Sequence, residues 1–489
     1  MGIKLFLLII FFAVMVGVGF YSRRHVKSVD GFVLGGRSVG PWLTAFAYGT
    51  SYFSAVVFVG YAGQFGWKYG IASTWIGIGN ALIGSLLAWV VLGRRTKVMT
   101  QHLRAKTMPD FFGQRYGSKA LKIVASVIVF VFLIPYTASV YNGLSRLFGM
   151  AFNIPYTWCV IAMAVFTAIY VILGGYMATA INDFIQGIIM LFGIVAVIAS
   201  VLNGQGGFME AVSKMAQIPS DVPATMGQPG AFTSFFGPDP LNLLGVVILT
   251  SLGTWGLPQM IGKFYAIKDE KSINTGTVIS TLFAIVISGG CYFLGGFGRL
   301  FDSAEIYNAE TGAVVYDSII PSMLSKLPDI LIGIVVVLVL SASMSTLSSL
   351  VLTSSSTMTL DLLKDNIMKE MSEKKQIITM QILIVFFIVV SVVIALDPPT
   401  FIAQLMGISW GALAGAFLAP FLYGLYWKGV TRAGVWAGFI AGVGITVSNM
   451  FIGYIASPIN AGAAAMVAGL VIVPLVSLVT PKLKKEDVD

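Results

Sequence analysis

The sequence predicts an all-α polytopic membrane protein of about 13 transmembrane helices, and three observations predict it. Of 489 residues, 57% are hydrophobic and only 10% are charged, with a mean hydropathy of +0.88. One water-soluble core cannot hide that much apolar surface. Apolar runs of about 20 residues, enough to cross a bilayer as a helix, recur from end to end. Between them, Lys and Arg collect in alternate loops, the pattern that orients membrane helices.

The first run, 3–21, is followed by Arg23, Arg24, His25 and Lys27 and not by a small-residue cleavage site, so it reads as a retained helix. Further spans are expected at 41–64, 71–93, 121–148, 156–173, 179–202, 240–262, 275–299, 329–360, 377–396, 400–426, 432–454 and 460–479. Loops 22–40, 94–120, 263–274 and 361–376 are basic, as are Lys428, Arg432 and the tail Lys482, Lys484 and Lys485. Loops 203–239, 300–328 and 455–459 carry only Lys214 and Lys326 between them. The N-terminus is therefore expected outside and the C-terminus in the cytoplasm of a multi-pass plasma (inner) membrane protein. The long outer loops 203–239 and 300–328 read as connectors or as lids.

Several function classes fall away. The net charge of +9 sits in inter-helix loops and not on a nucleic-acid-binding face, so no nucleic acid is expected. Cys159 and Cys291 lie in apolar runs and form neither a disulfide framework nor a zinc cluster. His25 and His102 lie in basic loops, which leaves no histidine chemistry within the membrane.

Two spans carry helix breakers and hydroxyls at mid-membrane. The second reads Gly49-Thr50-Ser51-Tyr52-Phe53-Ser54, and the seventh Gly253-Thr254-Trp255-Gly256-Leu257-Pro258. Proline removes a backbone donor and glycine lowers the cost of unwinding. Unwound backbone survives at membrane depth where it lines a protein cavity, because its carbonyls need a partner. With the first helix set aside as an extra, these are spans one and six of a ten-helix core. Two five-helix halves of opposite orientation follow, the inverted-repeat plan of many secondary transporters. The chain then divides into the extra N-terminal helix and loop (1–40), a first repeat (41–202), an outer loop (203–239), a second repeat (240–426) and two C-terminal helices with a tail (427–489).

The ninth span holds a hydroxyl-dense stretch, 341–359, in which Ala342, Ser345, Thr346 and Ser349 share one helical stripe with Ser348 beside it. Neutral hydroxyls and freed carbonyls can replace the hydration shell of sodium, a hard oxygen-seeking cation. Small hydroxyl residues also allow close helix packing, so both readings stand at this point. Asp183, near the start of the sixth span, marks an ion or proton path or else caps its helix.

At these residues the chain resembles the sodium:solute symporter family, which includes bacterial proline, sialic-acid and sugar transporters and animal sodium–glucose cotransporters. The resemblance runs from Phe32-Val33-Leu34-Gly35-Gly36-Arg37 to Tyr426-Trp427-Lys428. It is strongest at Leu173-Gly174-Gly175-Tyr176 with Asp183, Gly256-Leu257-Pro258-Gln259 with Lys263-Phe264, and Ala342-Ser343-Met344-Ser345-Thr346-Leu347-Ser348. It implies a LeuT-like five-plus-five inverted repeat with an extra N-terminal helix, working by alternating access. It also implies sodium held by carbonyls of Thr50, Phe53 and Ala342 with the hydroxyls of Ser345 and Thr346. A second sodium, as in some members, would use Asp183, Ser345, Ser348 and Ser349.

Departures from relatives speak about the solute. Tyr52 and Val56 stand where proline transporters carry an acid and a tryptophan, Val57 and Gly77 where sugar transporters carry polar groups. The fourth span reads Pro135-Tyr136-Thr137-Ala138-Ser139-Val140-Tyr141-Asn142, without the arginine of sialic-acid transporters. A pocket without full charges is expected, walled by Ser54, Val57, Phe58, Tyr136, Asn142, Trp255 and Gln259, with Tyr136 and Trp255 also explicable as ordinary packing. The implied function is sodium-coupled import of a small organic solute, an amino acid or other small zwitterion. A monocarboxylate or vitamin-like acid, and a proton-coupled carrier using Asp183, are the alternatives. The expected partners are that solute, sodium and the lipid bilayer, with no enzymatic activity and no obligatory protein partner.

Overall fold

The computed structural model describes residues 2–397 and 402–487. The first two residues of the span expected from 400 lie outside them. Among the described residues the longer helices are α1 (Gly2–Ser22), α2 (Pro41–Tyr52), α3 (Val56–His102), α4 (Lys119–Phe152) and α5 (Tyr156–Gly204). Next come α6 (Pro240–Leu252), α7 (Pro258–Ala266), α8 (Glu270–Gly295) and α9 (Asp329–Ile367). The series ends with α10 (Glu373–Leu396), α11 (Ile402–Tyr426), α12 (Arg432–Ile452) and α13 (Pro458–Val479). Among the described residues, eleven helical stretches, α6 and α7 counted as one, are long and apolar enough to cross a membrane.

Local chemistry writes the helix starts. Ser118, Asp239, Ser372 and Thr431 each accept a backbone N–H from the first turn of the helix they precede. Proline opens α2, α6, α7 and α13, where its missing donor costs nothing. Helices α3, α7 and α9 run past the expected ends at 93, 262 and 360. Hydropathy marks where apolar side chains stop, whereas the backbone ladder continues until something breaks it.

Helices α3 and α5 contain 47 and 49 residues. Straight, each would extend about 70 Å, more than twice the roughly 30 Å hydrocarbon core. Gly70 (φ +63°) and Gly175 (φ +54°) interrupt them in the left-handed region. A Cβ at Gly70 would stand 2.2 Å from the Phe232 carbonyl oxygen, and one at Gly175 2.6 Å from the Phe32 ring. Phe12 of α1 stacks on Phe166 at 4.1 Å, while Asn182 and Gln186 both reach Met15, one turn along. Residues on both sides of Gly175 thus sit level with the same stretch of α1, and the chain doubles back there. The expected count of 13 crossings rests on dividing both rods at these glycines.

Contacts sort the loops onto two ends of the bundle. At the basic end, Arg37 donates to the carbonyls of Ala105 (2.6 Å) and Tyr265 (3.4 Å), Lys106 pairs with Asp30, and Arg432 donates to Tyr116 O. Glu486 of the tail lines a cleft there with Arg94, Arg95 and Lys428. At the opposite end, Lys4 of α1 pairs with Asp329 at 3.1 Å, and Arg299 binds Asp221 through both terminal nitrogens while donating to Trp67 O. Trp75 donates to Phe235 O at 2.7 Å, so loop 203–239 is fastened over this end and does not hang free. Lys4 and Glu486 therefore lie at opposite ends of the bundle.

Candidate functional site

The second crossing is broken where the sequence places the breakers. α2 stops at Tyr52, and Phe53 is extended (φ −109°, ψ 136°). Ser54 restarts the helix: its carbonyl accepts from Val57 and Phe58, and its hydroxyl from Val56. The seventh crossing is broken likewise. α6 passes into a tight turn at Gly253–Trp255, Leu257 is extended (ψ 123°), and Pro258 opens α7. Gly256 admits the close approach, since a Cβ there would stand 2.8 Å from Ala414 Cα.

Helix α9 supplies the partners that the first break needs. Thr346 Oγ1 lies 2.7 Å from the Phe53 carbonyl oxygen and 3.1 Å from that of Ala342, so one hydroxyl links the break to α9. Ser343 Oγ accepts the Ala55 N–H at 3.0 Å, and the Ser349 and Ser51 hydroxyls share a hydrogen at 2.9 Å. All these residues are buried. Three of the five residues expected to hold sodium, Phe53, Ala342 and Thr346, thus meet at one hydroxyl. Of the other two, the Thr50 carbonyl accepts from Phe53 N, and the Ser345 hydroxyl is buried without a hydrogen-bond partner. Carbonyl and hydroxyl oxygens of neutral groups are the donor set that a desolvated sodium ion requires.

The expected stripe on α9 is in fact two faces. Ser343, Thr346 and Ser349 face the break, while Ser345 faces Asp183 of α5, and Ser348 turns back to donate to Ser345 O at 2.9 Å. Asp183 is fully buried, and neither carboxylate oxygen accepts a hydrogen bond. It stands about two turns beyond the break at Gly175, so a cap on the helix that restarts there is not its role. Lys263, expected in a cytoplasmic loop, is instead a buried residue of α7 whose Nζ donates to Ser349 Oγ at 3.0 Å. The loop assignment is corrected here: α7 runs four residues beyond the apolar stretch, and its last turn carries Lys263 inward.

The seven residues expected to wall one pocket are all buried but are distributed over several places. Ser54 and Tyr136 come together beside Trp410 of α11, whose ring lies 5.9 Å from that of Tyr136. The Tyr136 hydroxyl and Trp410 Nε1 complete no hydrogen bond. Phe58 lines a small apolar cavity with Ser54 and Ala342, whereas Trp255 donates to Ile83 O at 2.9 Å. Gln259, its amide unpaired, lines a cavity of about 50 Å³ with Lys263, Tyr176 and Ser349 that leads to Lys106 and Thr107 at the basic end. Val57 is buried at the restarted helix.

Asn142 brings in a charge. Arg146, one turn further along α4, donates from Nε to Asn142 Oδ1 at 3.3 Å and stands 4.0 Å from Asp317. The expectation of surroundings free of full charges is corrected by this pair, which lies just beyond the segment that ends at Asn142. Burial pushes the Asp317 carboxyl above its ordinary range, against the pull of Arg146 and of the Ile402 backbone. A carboxyl raised in the folded state costs stability above its folded pKa, and that cost disappears as pH falls below its unfolded value. Removing Arg146 raises it further. Arg146→Ala should therefore lower the melting temperature more at pH 8 than at pH 5, and an equal loss at both pH values would contradict the pairing.

Comparison with known proteins follows the same lines. A profile described as the sodium:solute symporter family matches residues 32–442. The chain is 30% identical over 496 residues to the sodium/proline symporter of Staphylococcus aureus (strain JH9), covering 98% of this chain and 92% of that protein. Its fold resembles that of a Na+-coupled sialic acid symporter solved in a substrate-bound outward-open state, with a TM-score of 0.77, 15% identity and 99% of each chain covered. It also resembles Mhp1, a nucleobase-cation-symport-1 family transporter solved in a closed conformation, at a TM-score of 0.55 and 13% identity, covering 93% of this chain and 96% of that one. The fold is LeuT-like.

Proposed function

Because the chain belongs to the sodium:solute symporter family, we propose that it imports an amino acid or other small zwitterion with sodium by alternating access. The observation that carries the sodium assignment is the Thr346 hydroxyl, set between the carbonyls of Phe53 and Ala342 across a broken helix. Sodium there would be held by oxygens of Thr50, Phe53, Ala342, Ser345 and Thr346. It would tie the first repeat to the second and favour the conformation that accepts solute from outside. Release into the low-sodium cytoplasm, on the side of the basic loops and the C-terminus, would free the two halves to move. Coupling is then a difference in sodium affinity between two conformations.

The solute assignment draws on the unpaired Tyr136 hydroxyl and Trp410 Nε1 beside Ser54, with the backbone of the two breaks. Val57, Phe58 and Trp255 would supply apolar walls, and Asn142 and Gln259 would close the two ends. Half-helix N-termini can hold a carboxylate without a full positive charge. Arg146 next to Asn142 favours a monocarboxylate or vitamin-like acid as the second reading. The unpaired carboxylate of Asp183 supports a third, a carrier driven by protons.

Radiolabelled uptake into liposomes containing the purified protein separates these. An inward sodium gradient is expected to drive amino-acid accumulation above monocarboxylate accumulation, with proline among the amino acids tested. Uptake driven by a pH gradient with no sodium present would overturn the sodium reading, and accumulation of monocarboxylates alone would overturn the zwitterion.

A further inference from the structure

We propose that the ammonium of Lys263 is the resident cation between Ser349 and the buried carboxylate of Asp183, so that this chain binds one sodium ion and not two. The proposal rests on the reading of α9 as the sodium-binding helix and concerns only the second set of ligands.

A second sodium would call on Asp183, Ser345, Ser348 and Ser349. Ser348 donates its proton to Ser345 O at 2.9 Å, which holds its oxygen against α9 and leaves its lone pairs open. Ser349 has one proton and two lone pairs, and it already shares a hydrogen with Ser51 and accepts from Lys263 at 3.0 Å. Lys263 has thus taken a lone pair of Ser349, and the Ser345 and Ser348 hydroxyls are what remain beside Asp183. Two hydroxyls and one carboxylate are a poor exchange for the six or so oxygens a bound cation gives up with its water.

An ionised carboxylate as deeply buried as Asp183 needs a positive neighbour. Lys263, itself 3% exposed and held at 3.0 Å by Ser349, one turn along α9 from Ser345, is the buried cation that acts on Asp183. A sodium ion bound to Asp183 and Ser349 would sit beside an ammonium that shares the same serine. One carboxylate would then face two cations in a medium that screens poorly. The Tyr176 ring, whose centroid is 5.1 Å from Nζ, further suits a fixed ammonium at this spot. Through Ser349 and Ser51 the lysine is also joined to the broken second crossing. Its charge is carried on α7, whereas a free ion would leave with the solute.

The test is equilibrium binding of ²²Na⁺ to the purified full-length protein, counted per protein. Wild type should bind one sodium, and Lys263→Gln, which vacates the pocket beside Asp183, should bind two. Asp183→Asn combined with Lys263→Gln should return the count to one. Two ions on wild type would overturn the proposal, and so would one ion on both wild type and Lys263→Gln. No sodium on wild type would instead overturn the sodium reading of α9. The wild-type count decides the matter even where Lys263→Gln does not fold.

Discussion

Thr346→Ala is expected to raise the sodium concentration for half-maximal uptake by 10-fold or more, while the protein remains folded. The hydroxyl removed is the one group that touches both the Phe53 carbonyl and the Ala342 carbonyl. Hydrogen bonds or ligand contacts to a charge are worth about 1.5–3 kcal/mol, which converts to a roughly 10- to 100-fold loss of affinity. The fold should survive, since α9 keeps its backbone ladder and Ser343 and Ser349 still reach the first break. Thr346→Ser keeps the oxygen and should restore most of the affinity. Sodium activation curves in liposomes measure both, and a Thr346→Ala curve that overlays wild type would remove Thr346 from the site.

Lys122→Met is expected to cause the largest loss of stability of any single change outside the bundle's centre. Lys122 opens α4 and is surrounded by three carboxylates: Asp110 at 2.9 Å, Asp361 at 3.6 Å, and Asp365 in direct contact. Asp361 is only 2% exposed at its side chain and accepts a further hydrogen bond from Thr107 at 2.5 Å. Removing one partner of a buried ion pair costs about 3–5 kcal/mol, because the other charge stays buried. The cluster ties the start of α4 and the loop before it to the end of α9, the helix that carries Thr346, so function should fall with stability. Adding Asp361→Asn should recover a large part of the loss. Melting temperatures of the purified variants check this, and a Lys122→Met protein as stable as wild type would show that the carboxylates are neutralised without the lysine.

The two breaks were legible because glycine and proline at membrane depth have few other uses, and each stands where its residues place it. The partnership of α9 with the first break was legible from hydroxyl density alone, since unwound carbonyls need such partners. The phase of α9 was not. Ser343 and Ser345 are two residues apart, yet one meets Ala55 and the other faces Asp183, and only the position of the break in space decides which. Lys263 begins a run with Lys268 and Lys271, so it reads as a loop cation until α7 is seen to continue through it. Arg146 was missed by one turn of α4, and Trp410 lies too far from Tyr136 in sequence for any local pattern to join them.

Sodium bound across the first break at Thr346 would stabilise the folded protein. The most direct measurement is the melting temperature of the purified protein as sodium replaces potassium at constant ionic strength, with Thr346→Ala measured alongside. A ligand that binds only the folded protein raises its stability with concentration. A saturable rise in sodium for wild type, with the dose dependence displaced to higher sodium by at least 10-fold in Thr346→Ala, is the predicted result. Equal melting in sodium and potassium, or the same sodium response in Thr346→Ala as in wild type, would contradict it.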